Sequence, residues 1–203
     1  MEPRGRRTYH HGDLARALVE VAVRLVEANG VEAFSLREAA RVAGVDVAAV
    51  YRHYASKSDL LAAVASEGFS LLARAMEEET LAHKGPWQVF FAIGRTYVRF
   101  SRSHRAHFRV MFGPFGAGKP KDPRVRGVGA TGKDPYEIFL ASLTRLDAQG
   151  KLSVAPEAAC LFAWSLVHGY ASLVADDVVQ PQPSEGDLEA LLQMAKAGIA
   201  AGG

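Results

Sequence analysis

The chain has 203 residues, 49% of them apolar, a net charge of +2 and a single cysteine. That length supports one or two domains with a sizeable core, and the apolar share excludes global disorder. Cys160 alone excludes an internal disulfide or a cysteine metal cluster and fits a reducing cytoplasm.

Residues 1–11 are basic, with Arg4, Arg6, Arg7, His10 and His11, and read as a mobile arm. From Asp13 to Asn29 the apolar residues Leu14, Leu18, Val21, Leu25 and Ala28 recur at helical spacing. Asn29-Gly30 reads as a left-handed stop. Ser35 with Glu38 predicts a capping box, Gly44 a turn, and Asp46 the cap of a short helix over about Val47–Tyr54. Ser56 with Asp59 predicts the start of a long helix to about His83. Gly85-Pro86 breaks the chain, and helices follow from Trp87 and near Arg105–Phe112. Residues 113–133, rich in glycine and proline, read as a long basic loop. Helices resume at about Asp134–Gln149, Pro156–Ala175 and Ser184–Ala200. The prediction is an all-α chain of about nine helices without strands.

Charge is unevenly placed. No acidic residue falls between Glu79 and Asp122, whereas six acids and only Lys196 follow Pro156. Arg95, Arg99, Arg102 and Arg109 recur at near-helical spacing, as a solvated face or as an attractor for an anionic effector. Ala158–Ala175 lacks Asp, Glu, Lys and Arg over 18 residues, the lower limit for a membrane span. Its Ser165, His168, Gly169, Tyr170 and Ser172 favour a buried helix of a soluble protein. No nucleophile–base arrangement stands out. The glycines of 113–133 follow no strand, so they make no nucleotide fingerprint, and no metal or cofactor set is expected.

Residues 35–60 carry the sharpest signal. Ala39, Ala40 and Ala43 permit two helices to approach closely, and Val45 and Val50 can plug the core beneath the Gly44 turn. The short second helix would then enter a major groove. Val47, Ala48 and Ala49 occupy positions that can face base edges, where they can touch thymine methyls only. Tyr51, His53 and Lys57 offer phosphate contacts, Ser35 and Arg37 sit at the supporting helix N-terminus, and Arg52 is a candidate base reader. The arm's arginines either reach a minor groove or stay idle.

This stretch resembles the DNA-binding domain of the tetracycline-repressor (TetR) family. The family pattern is a Thr/Ser cap, Ile/Leu-Ala, Ala-Gly-Val-Ser, Tyr-x-His-Phe and Lys-x-x-Leu. Here it reads Ser35, Ala39-Ala40, Ala43-Gly44-Val45-Asp46, Tyr51-Arg52-His53-Tyr54 and Lys57-Ser58-Asp59-Leu60. Asp46 stands for the usual Ser and Tyr54 for the usual Phe. Trp164-Ser-Leu-Val-His168-Gly169 and the opening Tyr9-His10-His11-Gly12-Asp13-Leu14 are similar to one subgroup with a Trp-His-Gly element.

The resemblance implies an N-terminal helix-turn-helix domain (12–56) and a C-terminal ligand-binding and dimerisation domain (57–203). It implies a cytoplasmic, non-enzymatic homodimeric repressor, released from a palindromic double-stranded DNA operator by a small-molecule effector. Phe91, Tyr97, Phe100, Phe108, Met111, Trp164 and His168 are the ligand-pocket candidates, though each is also an ordinary core residue. The last two helices are expected to form a four-helix dimer bundle. Its contacts would be Ala159, Cys160, Ala163, Leu166, Gly169, Leu173, Leu188, Leu191, Leu192 and Ala195. Two other readings remain open: a small-molecule-binding protein or enzyme with a degenerate DNA-binding module, and a membrane-associated protein.

Overall fold

The computed structural model describes residues 11–113, 127–179 and 182–202, without the side chains of 11–13. The arm, most of the 113–133 loop and Pro181 lie outside these residues. Among the described residues there are nine helices: α1 (His11–Ala33), α2 (Leu36–Ala43), α3 (Val47–Tyr51), α4 (Lys57–Ala82), α5 (Pro86–Ser103), α6 (Arg105–Phe112), α7 (Pro135–Asp147), α8 (Pro156–Ala175) and α9 (Glu185–Ile199). The extended pairing among them is one isolated bridge, Leu152 with Ala200.

Two compact units emerge. The first takes α1–α3, α4 as far as Gly68, and α6 from Ala106 on. Leu18, Ala22 and Val26 make the buried stripe of α1, and α2 packs on α1 through Leu36, Ala39 and Ala40. Gly30 interrupts α1 with φ 79° and ψ 167°. That is an extended glycine-only conformation rather than the expected left-handed stop, and one more turn follows it to Ala33. The Ser35 hydroxyl accepts from the Glu38 amide at 3.2 Å. Glu38 does not complete the expected box; its carboxylate pairs with Arg41 at 2.6 and 2.9 Å instead. Gly44 is truly left-handed (φ 70°, ψ 30°) and returns its amide to Ala40 and Arg41.

The expected domain boundary at residue 56 therefore differs from the observed division inside α4. The reason is packing. Met111 of α6 is fully buried and lies against Gly68, where a Cβ would collide with its sulfur. His107 Nε2 stands 3.1 Å from the Glu67 carboxylate. A short helix late in the sequence thus completes the core of the reader unit.

The second unit is built on α5, which packs against α7, α8 and α9; α8 also meets α7 and α9. Phe90 is at the centre, edge-on to Trp87 at 5.5 Å and tilted on Phe139 at 5.9 Å. Asp134 with Glu137 and Ser184 with Asp187 form capping boxes that start α7 and α9. The basic and acidic stretches of the sequence meet here. Arg95 pairs with Glu189, Arg102 with Glu185, Arg105 with Asp177 and Arg99 with Glu79. These pairs are partly exposed and contribute up to about 1 kcal/mol each. A buried Phe or Leu contributes roughly 1.5–3 kcal/mol, so the apolar core dominates. Three of the four arginines of the stripe, Arg95, Arg99 and Arg102, thus face the protein's own carboxylates.

By length and composition α8 could cross a membrane, and only 39% of its apolar window is buried. The expectation of a buried helix is correct for one face alone.

Candidate functional site

The helix-turn-helix is assembled by local chemistry. Asp46 accepts from the Ala48 amide at 2.7 Å and starts α3. Val50, fully buried, anchors α3 to the unit's core. Helical geometry then turns Val47, Ala48, Tyr51 and Arg52 outward, and Tyr51 is 51% exposed. Ala49 is buried, contrary to the expectation that it faces base edges. It lies beside Val50 on the inward side of a helix of only five residues. Ser35 and Arg37 are exposed at the start of α2, and His53 is half-buried.

Two side chains tie this surface down. Lys57 donates to the Glu32 carbonyl at 2.9 Å and lies 6.0 Å from the Phe34 ring centre. Its ammonium is thereby held at the end of α1. Tyr54 donates to the Ala15 carbonyl at 3.2 Å. The hydroxyl that distinguishes Tyr54 from phenylalanine thus links the end of the reader segment to α1. Burial raises its pKa, with the Glu67 charge adding to the effect. This role went unread in the sequence, where Tyr54 registered only as a departure from the family pattern.

In the second unit, Trp164 and His168 lie one turn apart on α8 and converge on one hydroxyl. Trp164 Nε1 donates to Tyr97 Oη at 3.3 Å, and Oη is 2.8 Å from His168 Nδ1. Burial pushes the Tyr97 phenol far up, only partly offset by the Trp164 hydrogen bond, so it keeps its proton. A phenol proton directed at His168 Nδ1 would require the neutral ring to carry its own proton on Nε2. Burial lowers the His168 pKa, in agreement.

Phe91, Tyr97, Phe100, Trp164 and His168 belong to this unit; Phe108 and Met111 belong to the reader unit, in its core. An apolar crevice in the second unit is lined by Phe90, Gly94, Phe139, Val167, Leu191 and Ala195, among others, and none of the predicted pocket residues lines it. Its interior has room for about one water molecule.

Six of the ten predicted dimer contacts lie inside the single chain. Ala159, Cys160, Ala163, Leu188, Leu192 and Ala195 are buried within the chain, where they pack α8 and α9 onto neighbouring helices. Burial pushes the Cys160 thiol up to about 12, with the Glu157 charge adding to it. Leu166 and Leu191 are half-buried, and Gly169 and Leu173 are exposed. The outward apolar face is instead Leu161, Phe162, Gly169 and Leu173 on α8 with Met194 and Gly198 on α9. Leu161 is 67% and Met194 63% exposed. The two stripes touch, because a Cβ on Gly198 would meet the Phe162 ring. The spacing of Phe162, Gly169 and Leu173 was readable as a helix face; the choice between it and the Ala159–Ala163 face was not.

Comparisons with known proteins follow this division. Residues 18–64 match the model for bacterial regulatory proteins of the tetR family. Residues 90–197 match the model for a tetracyclin repressor-like C-terminal domain. No curated protein matches the chain. Among solved structures, a protein of unknown function from Rhodococcus sp. RHA1 is 29% identical, over 97% of this chain and 100% of that one, with a TM-score of 0.80. A tetR family transcription regulator from Shewanella sp. PV-4 is 16% identical, over 93% and 98%, with a TM-score of 0.71. AibR, solved in complex with isovaleryl coenzyme A and operator DNA, is 18% identical, over 89% and 96%, with a TM-score of 0.63. With a reader module at residues 18–64 and a repressor-like domain over more than half its length, this chain belongs to the tetracycline-repressor family of DNA-binding transcriptional regulators.

Proposed function

We propose that the protein acts as a homodimeric, cytoplasmic repressor that leaves a palindromic operator when a small molecule binds its C-terminal unit. The observation that carries this reading is the exposed surface of Val47, Ala48, Tyr51 and Arg52, held out by the Gly44 turn and the Asp46 cap. Tyr51, His53 and Lys57, with Ser35 and Arg37 at the start of α2, are assigned to the phosphate backbone. Val47 and Ala48 offer apolar contact to thymine methyls, and Arg52 is the nearest polar candidate for a base edge.

The partner on the outward face of α8 and α9 is a second copy of the chain. Leu161, Phe162, Leu173 and Met194 supply the apolar area, and Gly169 and Gly198 let backbones approach. Gly169 supports this directly: a Cβ there meets nothing within 4 Å in the single chain, so the space stays open to a partner. The same face explains the apolar character of α8 without a membrane. Two-fold symmetry then calls for half-sites about one helical turn apart.

The effector site belongs to the second unit. The crevice against α9 has room for little more than water, so a larger ligand binding there would select a widened conformation. The Tyr97 hydroxyl with its Trp164 and His168 partners is the polar feature beside the apolar core. Trp164, His168 and Gly169 also support membership of the Trp-His-Gly subgroup. Since effector and operator favour different states, each weakens the other's binding by the same factor. That AibR was solved with isovaleryl coenzyme A and operator DNA supports such a pairing of partners.

Binding of the duplex upstream of the protein's own gene tests the reading. The observed affinity should fall steeply as salt rises, with a log–log slope of several units. A salt-independent or undetectable interaction, with the protein folded, would favour a small-molecule binder with a degenerate reader module.

A further inference from the structure

The end of the α6–α7 connection contains a turn that the regulator reading does not use. Residues Gly127 to Lys133 have the glycine and lysine spacing of a phosphate loop, but Asp134 stands where that motif has Ser or Thr. The nucleotide motif is therefore absent, yet the backbone does what such loops do. The Ala130 amide donates to Glu77 Oε2 at 2.7 Å and the Thr131 amide to Oε1 at 3.0 Å. Thr131 Oγ1 donates to Oε1 as well. The turn closes on itself through Gly129 N to Lys133 O at 2.9 Å and Gly132 N to Gly129 O at 3.2 Å, with Gly132 at φ 76°. A Cβ on Gly129 would overlap the carboxylate, so glycine is what lets the anion come this close.

Both oxygens of one carboxylate are thus satisfied by three donors from two consecutive residues. Consecutive amides aimed at one point form an anion-binding concavity whatever fills it. The occupant is a side chain on α4, half-exposed, and the hydrogen bonds lie at the surface. Burial works to raise the Glu77 pKa, but the Thr131 and Ala130 hydrogen bonds and the Arg74 charge outweigh it and leave it lowered. Both residues that supply the donors, Ala130 and Thr131, are exposed to solvent, and the Arg74 charge acts on the same carboxylate.

We propose that the Gly129–Lys133 turn is a carboxylate-binding cradle, that Glu77 is its internal occupant, and that a small external carboxylate takes the same place and releases α4 from the turn. The planar two-oxygen fit favours a carboxylate; a phosphoryl group shares the chemistry and is the second arm of the test. The tethered Glu77 competes at high effective concentration, so the intact protein binds external anions weakly. The site stands on its own geometry, independently of the regulator reading.

The test is titration of the 15N-labelled full chain with acetate, inorganic phosphate and, as an ionic-strength control, chloride. In Glu77→Ala, acetate is expected to shift the Ala130 and Thr131 amide resonances saturably, at a midpoint at least about tenfold below that of the wild type. Adding Thr131→Ala should raise that midpoint about tenfold, as loss of a hydrogen bond to a charged group does. Saturation by phosphate below acetate would support the cradle and assign it to phosphoryl ligands. Glu77→Gln keeps a neutral occupant of the same size and guards against collapse of the turn; its midpoint should lie between those of wild type and Glu77→Ala. Linear shifts in Glu77→Ala, shifts reproduced by chloride, or a Glu77→Gln midpoint equal to that of the wild type would overturn the proposal. Operator binding plays no part in these measurements, so their failure leaves the regulator reading intact.

Discussion

Removing one oxygen atom should test whether the Trp164–Tyr97–His168 cluster holds the C-terminal unit together. Tyr97 is 3% exposed, and Phe at this position keeps the ring and its packing. What is lost is the hydroxyl that accepts from Trp164 Nε1 and faces His168 Nδ1. Each buried polar group deprived of a partner costs about 1–3 kcal/mol. Trp164 and His168 are half-buried, so water can recover part of that, which places the total near 2 kcal/mol. For a chain of this size, 1 kcal/mol moves the melting temperature by about 2–4 °C. Tyr97→Phe should therefore melt about 4–8 °C below the wild type at pH 7.5, at equal protein concentration because a dimer's stability depends on it. Circular dichroism at 222 nm measures this. A double-mutant cycle with His168→Gln should show coupling, since both substitutions break the same bond. A shift within about 1 °C, or strict additivity, would mean that the hydroxyl is solvated and the cluster contributes no stability.

Further outcomes follow from the same geometry. Burial lowers the His168 pKa from its ordinary 6.5, so the folded state favours the neutral ring. The unfolded chain then takes up the proton first as pH falls. This group's stabilisation is present above about pH 6.5 and is lost as pH drops toward the lower folded value. Melting curves of wild type and His168→Gln should converge on acidification, and a gap that widens would contradict the assignment. Phe162→Glu with Met194→Glu puts four like charges into the dimer face and should give a monomer by sedimentation at micromolar concentration, with operator binding lost. A dimer surviving both changes would move the interface elsewhere. Tyr51→Ala or Lys57→Ala should weaken operator binding about tenfold with base preference unchanged; an altered preference at one position, in a selection from random duplexes, would mean a base contact rather than a phosphate contact.

The sequence was most informative where structure is local. Helix starts at Ser35, Asp46 and Ser56 rest on a side chain reaching an amide two or three residues on, and all three are present. Gly44 is left-handed because the chain must reverse between α2 and α3. Even so, a pattern can be half right. Ser35 and Glu38 have the spacing of a reciprocal box, yet Arg41, one turn further, competes for the carboxylate and wins with two charge-assisted bonds.

What stayed hidden was the choice between faces. Along α8, Ala159 and Ala163 mark one helical stripe, and Phe162, Gly169 and Leu173 mark another. Periodicity says that both exist and not which one meets the rest of the chain. Packing decides it by volume. The small stripe fits under α5 and α7, while the bulky one is left outward, so the residues that suggested close helix approach between copies are used within one copy. The charge asymmetry has a parallel resolution. Basic α5 and the acidic end of the chain looked like separate surfaces awaiting separate partners, and the fold sets Arg95 on Glu189 and Arg102 on Glu185. Much of the charge that looked available for an anion is thus opposed within the protein itself. The anion-ready donors are instead backbone amides at Ala130 and Thr131, a feature that side-chain composition cannot encode and that only the path of the chain reveals.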